Sequence, residues 1–494
     1  MFQHLKRLFK HSVVYGLAET VSRGTGFVLV FIYTHVFTQE EMGVRTALYS
    51  AAAFLGLFYT LGLDNAFLRY FMDKEYEKKR DEVLSTAFTF TMLIGLIFLL
   101  SAFFFNGFIS QVITKSDSYR YLIRLLFLTM IFDTVVVYPT LVLRAENRLL
   151  YYSVISFVRF VLFIALNILF VVIMGRGLDG VFEANLIVVA VIAVLLIPVY
   201  RTYLGRYVSI STLKQMLAFG VPTIFTLLAM RIVDNSDRFL ILYLLGDQGM
   251  RELGGYGVAY ALGMAGIMVF VNSFRLAWQP FFLSVKDDRD AQKMFARVAT
   301  YYAMFIGVVF LAITLFRNEL FSLYAPPDRY PVYLAGLLPF VAFAYVIDGF
   351  YLIMLAGIFI REKTRYLPAA TAVGALLNIG LNFLMIPMFG VFGAAYTTIV
   401  AYISMAAVLY FLSRRVYPVE YEFGRLSAVF LLTVIIALIP EFIKLEGHAA
   451  SIIFRGLLLL APPVVYLTSG FLRPEEHRIL MRLGKPELPE VRDE

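Results

Sequence analysis

The sequence predicts an all-α, polytopic membrane protein: about 14 transmembrane helices, arranged as two six-helix bundles around a central cavity, plus a C-terminal helix pair. Three observations predict it. Of 494 residues, 60% are hydrophobic and 16% charged, against roughly half and a quarter in an ordinary soluble domain. Apolar stretches of about 20 residues or more, enough to cross hydrocarbon as helices, recur from end to end. Turns rich in Lys and Arg alternate with turns poor in them. Cysteine is absent, which excludes a disulfide framework, a zinc finger, an iron–sulfur site and a thiol nucleophile.

The spans follow in order. Lys6, Arg7 and Lys10 precede the first, 11–36, which is too long for the apolar core of a cleaved signal and is interrupted by Glu19 and Arg23. The second, 42–72, leads to Arg69 and the polar run Asp73–Glu82. Spans 83–106 and 119–143 lead to Arg144 and Arg148, and spans 150–174 and 180–203 to Arg201, Arg206 and Lys214. After 214–245 and 253–284 comes the stretch Lys286–Arg297; after 294–316 and 331–358 come Arg361, Lys363 and Arg365. Spans 366–387 and 391–414 end at Arg414, Arg415 and Arg425, and spans 425–441 and 451–470 end at the tail from Arg473. None shows the ten-residue alternation of an outer-membrane barrel.

About 28 of the 43 Lys and Arg residues fall on one side. The positive-inside rule then places both termini in the cytoplasm, in a multi-pass protein of the cytoplasmic (inner) membrane. The net charge of +8 is thereby read as topology, and nucleic acid is not an expected partner. No connecting loop exceeds about 15 residues. A membrane glycosyltransferase or polymerase would carry a catalytic domain or long external loop, so the chain is expected not to be an enzyme. The five His are scattered, with no metal-ligand spacing and no catalytic constellation. No catalytic residue, metal or cofactor is expected.

An internal repeat organises the spans. Glu146-Asn147-Arg148, Leu166-Asn167-Ile168-Leu169 and Gly177-Leu178-Asp179-Gly180-Val181 have counterparts about 215 residues later in Glu362-Lys363-Thr364-Arg365, Leu381-Asn382-Phe383-Leu384 and Gly390-Val391-Phe392-Gly393-Ala394. The expected divisions are 1–205 and 206–415 for the two bundles, 416–472 for the added pair and 473–494 for a cytoplasmic tail. An even number of spans per repeat gives both halves one orientation, related by an axis along the membrane normal.

The span beginning Ser12-Val13-Val14-Tyr15-Gly16, the segment Phe219-Gly220-Val221-Pro222 with Asp237-Arg238 and Gly255-Tyr256-Gly257-Val258-Ala259, Trp278-Gln279-Pro280-Phe281, and Leu381-Asn382 through Ala395 carry a family likeness. The chain resembles the polysaccharide-transport (O-antigen/oligosaccharide flippase) branch of the multidrug/oligosaccharidyl-lipid/polysaccharide exporter superfamily. The resemblance implies a V-shaped cavity, rocking of the halves, and flipping of a polyprenyl-diphosphate-linked oligosaccharide to the outer leaflet. Alternatives are a lipid II flippase and a multidrug/cation antiporter. The implied partners are the lipid-linked substrate, the bilayer and other polysaccharide-assembly membrane proteins, with the chain itself a monomer.

Ionisable groups inside spans cost about 2.5 kcal/mol or more each and so face a cavity or a partner. Guanidinium holds phosphate oxygens in a fork without losing its proton. Arg23, Arg159, Arg231 and Arg275 are therefore the expected diphosphate ligands. Asp133 and Asp348, lone acids at equivalent places in spans 4 and 10, are candidates for coupling to a proton or sodium gradient, or for neutralising Arg159 and Arg275. Glu19 with Arg23, and Asp234 with Arg238, have the four-residue spacing of structural pairs along one helix face.

Overall fold

Backbone groups in hydrocarbon must be paired within their own segment, and the chain does this with helices, no strand occurring among the described residues. The computed structural model describes residues 26–205, 207–443, 445–469 and 471–472. Glu19, Arg23 and the tail 473–494 lie outside them.

The described part of the first span, α1, is Gly26–Val36. Thr38 then starts α2 (Gln39–Thr60) with a capping box, its side chain and that of Glu41 each taking a backbone N–H. The expected single span 42–72 is instead two helices, α2 and α3 (Leu63–Met72), bent by 47°. Leu61 and Gly62 take left-handed angles there, with φ of 48° and 70°. A Cβ on Gly62 would lie 2.4 Å from the Gly220 carbonyl oxygen, so glycine serves both the turn and the close approach.

The first repeat continues with α4 (Arg80–Phe104), α5 (Asn106–Thr114) and α6 (Arg120–Ala145). Next come α7 (Leu149–Asn167, prolonged by a π-helical turn Ile168–Ile173), α8 (Gly177–Leu195) and α9 (Ile197–Tyr203). The second repeat holds α10 (Ile210–Leu244), α11 (Gly249–Ser284), α12 (Ala291–Leu315), α13 (Arg317–Tyr324), α14 (Leu337–Ile360), α15 (Leu367–Phe389) and α16 (Val391–Val416); α17 (Phe423–Phe442) and α18 (His448–Thr468) follow. Twelve helices among the described residues are long and apolar enough to cross a membrane, and the bent α2–α3 pair makes a thirteenth. With α1 this agrees with the expected spans, and the chain is a multi-pass membrane protein.

The chain forms two compact units. One comprises residues up to Lys286 and Asn318–Pro418. In it α6, α8 and α14 are buried over more than half of their most apolar stretch, whereas α7 is buried over less than a fifth of it, as a lipid-facing helix is. Its core at the basic end gathers Phe67, Phe71, Tyr138, Leu143, Val188 and Ile192 around Met216 of α10. The other unit comprises Asp287–Arg317 and the residues from Val419, so α12 groups with α17 and α18. Leu311 and Leu315 pack on Ile436, Thr300 donates to Glu422 at 2.7 Å, and Arg455 donates to the Leu315 carbonyl at 2.9 Å.

The repeat is visible in backbone geometry. At the α6–α7 turn, Glu146, Asn147 and Arg148 donate to Val142, Arg144 and Leu143. At the α14–α15 turn, Arg361, Glu362 and Lys363 donate to Gly357, Phe359 and Ile358, each residue 215 later. Asn147 and Glu362 both have left-handed angles, φ of 56° and 54°, as do Gly175 and Gly390 at the opposite ends of α7 and α15. The bond pattern is that of a Schellman ending, and its recurrence at one constant offset of 215 residues is what the repeat predicts.

Candidate substrate site

Of the expected phosphate ligands, two stand in ion pairs with the expected coupling acids. Arg159 on α7 lies 3.4 Å from Asp133 on α6, and both side chains are about two-fifths exposed, 43% and 41%. Arg275 on α11 lies 3.2 Å from Asp348 on α14; here the guanidinium is 46% exposed and the carboxylate only 9%. Each pair offsets much of the cost of a lone charge at membrane depth. Guanidinium has five N–H donors, so each arginine keeps donors on its open face after binding its acid. Arg231 on α10 is also exposed. The two pairs share no residue, and Asp133 and Asp348 are 215 residues apart, so the acid, but not its arginine, follows the repeat.

The Asp234–Arg238 pair requires a correction. Arg238 donates to the backbone carbonyl of Asp234, and its ion pair is with Asp237 at 3.1 Å. The Asp234 carboxylate instead accepts from Tyr402 at 2.8 Å. The reason is packing: α10 turns Asp237 and Arg238 toward α11, where Tyr256 donates to Asp237 and the guanidinium sits 4.5 Å from the Tyr260 ring centre. Tyr260 bonds Tyr345 of α14 at 2.7 Å. With Asp237 fully buried and Arg238 13% exposed, this is a satisfied internal network, and Arg238 ties helices together.

A second polar chain runs beside it. Ser236 donates to Asn378 at 2.8 Å, Asn382 donates to Asn378 at 3.1 Å, and Thr397 donates to Asn382 at 2.6 Å. In the first repeat Asn167, the counterpart of Asn382, accepts from Tyr33 of α1 at 2.6 Å. Arg45 of α2, which the sequence reading passed over at the end of a span, lies 4.8 Å from the Tyr33 ring and 4.9 Å from the Tyr49 ring. Its buried Nε has no hydrogen-bond partner. The tyrosines of these networks carry no charge that would mark them in the sequence, and only their helical spacing to the acids could have singled them out. Among the described residues no cluster of three His, Asp or Glu side chains could hold a metal.

The two repeats meet at the end of the molecule opposite the basic turns. A Cβ on Gly254 of α11 would fall 1.7 Å from the Gln39 carbonyl oxygen, and one on Gly43 of α2 would fall 2.0 Å from that of Met250. Arg251 donates to the Gln39 side chain at 2.8 Å, Thr34 to the Tyr324 carbonyl at 2.5 Å, and Tyr330 to that of Phe37 at 2.9 Å. Among the described residues, α2 and α11 are thus in backbone-to-backbone contact along this seam.

A twofold-repeated body of apolar helices with exposed arginines inside its spans defines a multi-pass membrane protein with charged groups in its interior. The sequence profile of the family described as "Polysaccharide biosynthesis protein" matches residues 8–286, more than half of the chain, and the chain belongs to that family. Among solved structures it is similar to one titled "Lipid II flippase MurJ, inward closed conformation", with a TM-score of 0.76 and 14% identity over 93% of this chain and 100% of the other. It is also similar to an inward-facing multidrug resistance MATE family transporter, with a TM-score of 0.65 and 15% identity over 85% of this chain and 96% of the other. The outward-facing form of such a transporter gives a TM-score of 0.58 at 15% identity and the same coverage, 85% and 96%. No curated protein sequence matches the chain.

Proposed function

We propose that the protein flips a polyprenyl-diphosphate-linked oligosaccharide, an O-antigen, capsule or exopolysaccharide repeat unit, across the cytoplasmic membrane by alternating access, with both termini in the cytoplasm. The observation that carries this reading is the presence, in each repeat, of an arginine whose charge is offset by a carboxylate while its remaining donors stay exposed: Arg159 at 43% and Arg275 at 46%. Such groups suit an anion that must be released again, since a guanidinium fork binds diphosphate oxygens and its carboxylate partner takes it back. Arg231 and Arg23 complete the expected set. A cationic drug has no use for guanidinium neighbours, which disfavours the antiporter reading. The lipid II flippase reading shares fold and head group, and differs in the glycan. The chain performs no covalent chemistry in this scheme, acts as a monomer and works beside other polysaccharide-assembly membrane proteins.

Asp133 and Asp348 supply the coupling step: a proton or sodium ion competes with the arginine for the carboxylate and frees the guanidinium for substrate. Depleting the protein should build up a lipid-linked oligosaccharide on the cytoplasmic face, and its glycan would separate polysaccharide export from lipid II transport. Alanine at each of Arg23, Arg159, Arg231 and Arg275 should lower export at unchanged protein level. Normal export from all four variants would sink the diphosphate assignment, and transport in vesicles indifferent to pH, sodium and potential would remove the coupling role.

A further inference from the structure

A cavity of about 450 Å³ lies between α2, α4, α5, α6 and the far end of α10. Its walls include Phe54, Phe98, Phe108, Val112, Phe127 and Phe239. The hydroxyl among its lining side chains, that of Ser101, is already bonded to the Phe98 carbonyl at 2.6 Å. Nothing in these walls can hold a sugar, a phosphate or an ion, and an apolar space of this kind is favourable only for hydrocarbon. Phe108 and Val112 are 71% and 46% exposed, so the cavity opens at the protein surface beside α5.

Cations stand one helical turn further toward the same end. Arg124 is exposed, three residues before Phe127, with its guanidinium 5.6 Å from the Phe103 ring centre. Lys115 follows α5 directly, 5.1 Å from the ring of Tyr243, which is one turn beyond Phe239. Arg120 is taken up by Asp117. Lys115, Arg120 and Arg124, set against Asp117 and, across the seam, Asp247, leave the rim with a net positive charge.

We propose that this cavity takes one acyl chain of an anionic phospholipid, whose head-group phosphate is held by Arg124 and Lys115. The proposal rests on reading the chain as a membrane carrier, but not on its substrate. On that reading the rim faces the outer leaflet. The site spans the two repeats: Phe54 of α2 and Phe239 of α10 face each other at 5.9 Å, and Tyr243 of α10 donates to the Val112 carbonyl of α5. A lipid seated there would bridge both halves where they close and hold them together, so the anionic lipid content of the membrane would set how readily the carrier opens outward.

The test is native mass spectrometry of the full-length protein in detergent, with dioleoyl phosphatidylglycerol or dioleoyl phosphatidylcholine added. The wild type should retain one phosphatidylglycerol in preference to phosphatidylcholine. Ser101→Trp and Val112→Trp, which fill the cavity, should each lower that retention about tenfold or more, the equivalent of excluding roughly two methylenes. The rim variant Lys115→Gln with Arg124→Gln, both outside the packed walls, should abolish the preference between the lipids. Equal retention of both lipids by the wild type, or undiminished phosphatidylglycerol on folded variants of both kinds, would overturn the proposal. Lipid retention is read without transport, so its failure and that of the flippase reading are separate results.

Discussion

Removing one guanidinium should not cost the same in the two repeats. Arg275→Ala leaves Asp348, 9% exposed, with its carboxylate uncompensated, and removing the partner of a buried charge is the costlier case. Arg159→Ala leaves Asp133 with two-fifths of its side chain open, so less of its environment depends on the lost partner. Thermal unfolding in detergent should show the larger loss for Arg275→Ala, and Arg275→Ala combined with Asp348→Asn should recover most of it. Equal losses from the two arginines would contradict this burial difference. The matched left-handed turns give a second comparison. Asn tolerates that backbone region better than Glu, so Glu362→Asn should stabilise by about 0.5 kcal/mol and Asn147→Glu should destabilise by a similar amount. At this scale Asp133, Asp348 and the arginines were legible because a charge inside an apolar span stands out. Arg45 and the tyrosines around Asp237 were not, since a residue near a span end or an aromatic within one looks ordinary until neighbouring helices are placed around it.

Single helices were legible from hydropathy because crossing hydrocarbon fixes their length and composition. Their breaks were not: the bend between α2 and α3 sits where Gly62 meets Gly220 of α10, a contact made only in the folded chain. The same holds for the seam of α2 and α11. Gly254→Ala would force its new methyl into the Gln39 carbonyl, and the two helices would have to part by an ångström or more. In a chain without cysteine, Thr46→Cys, placed against Gly257 in that seam, is a unique reporter for a membrane-impermeant thiol reagent. Labelling from the side opposite the basic turns should be slow in the single variant and several-fold faster with Gly254→Ala added. Unchanged labelling would mean that this seam is not the barrier.

For the whole molecule, the assignment of α10 to the second repeat alone is too simple. Its start is fixed to the first repeat: Ser209, which caps it, donates to Thr86 at 3.0 Å, Thr212 donates to Glu82 at 2.5 Å, and Met216 is buried in the first repeat's core. Its later turns are fixed to the second repeat through Ser236, Asp234 and Asp237. Pro222 lies between the two attachments, where a proline removes one backbone hydrogen bond and weakens the helix by about 3 kcal/mol. Pro222→Ala should therefore raise the unfolding temperature and slow export, and faster export from a more stable protein would show that α10 does not bend there. A helix of 35 residues, about 52 Å long, clamped at both ends and softened in the middle, behaves as a leaf spring. Under the proposed alternating access, each departure of the halves from their resting angle would load it, and the elastic energy stored in one continuous helix would then favour the return of an empty carrier without a ligand to drive it.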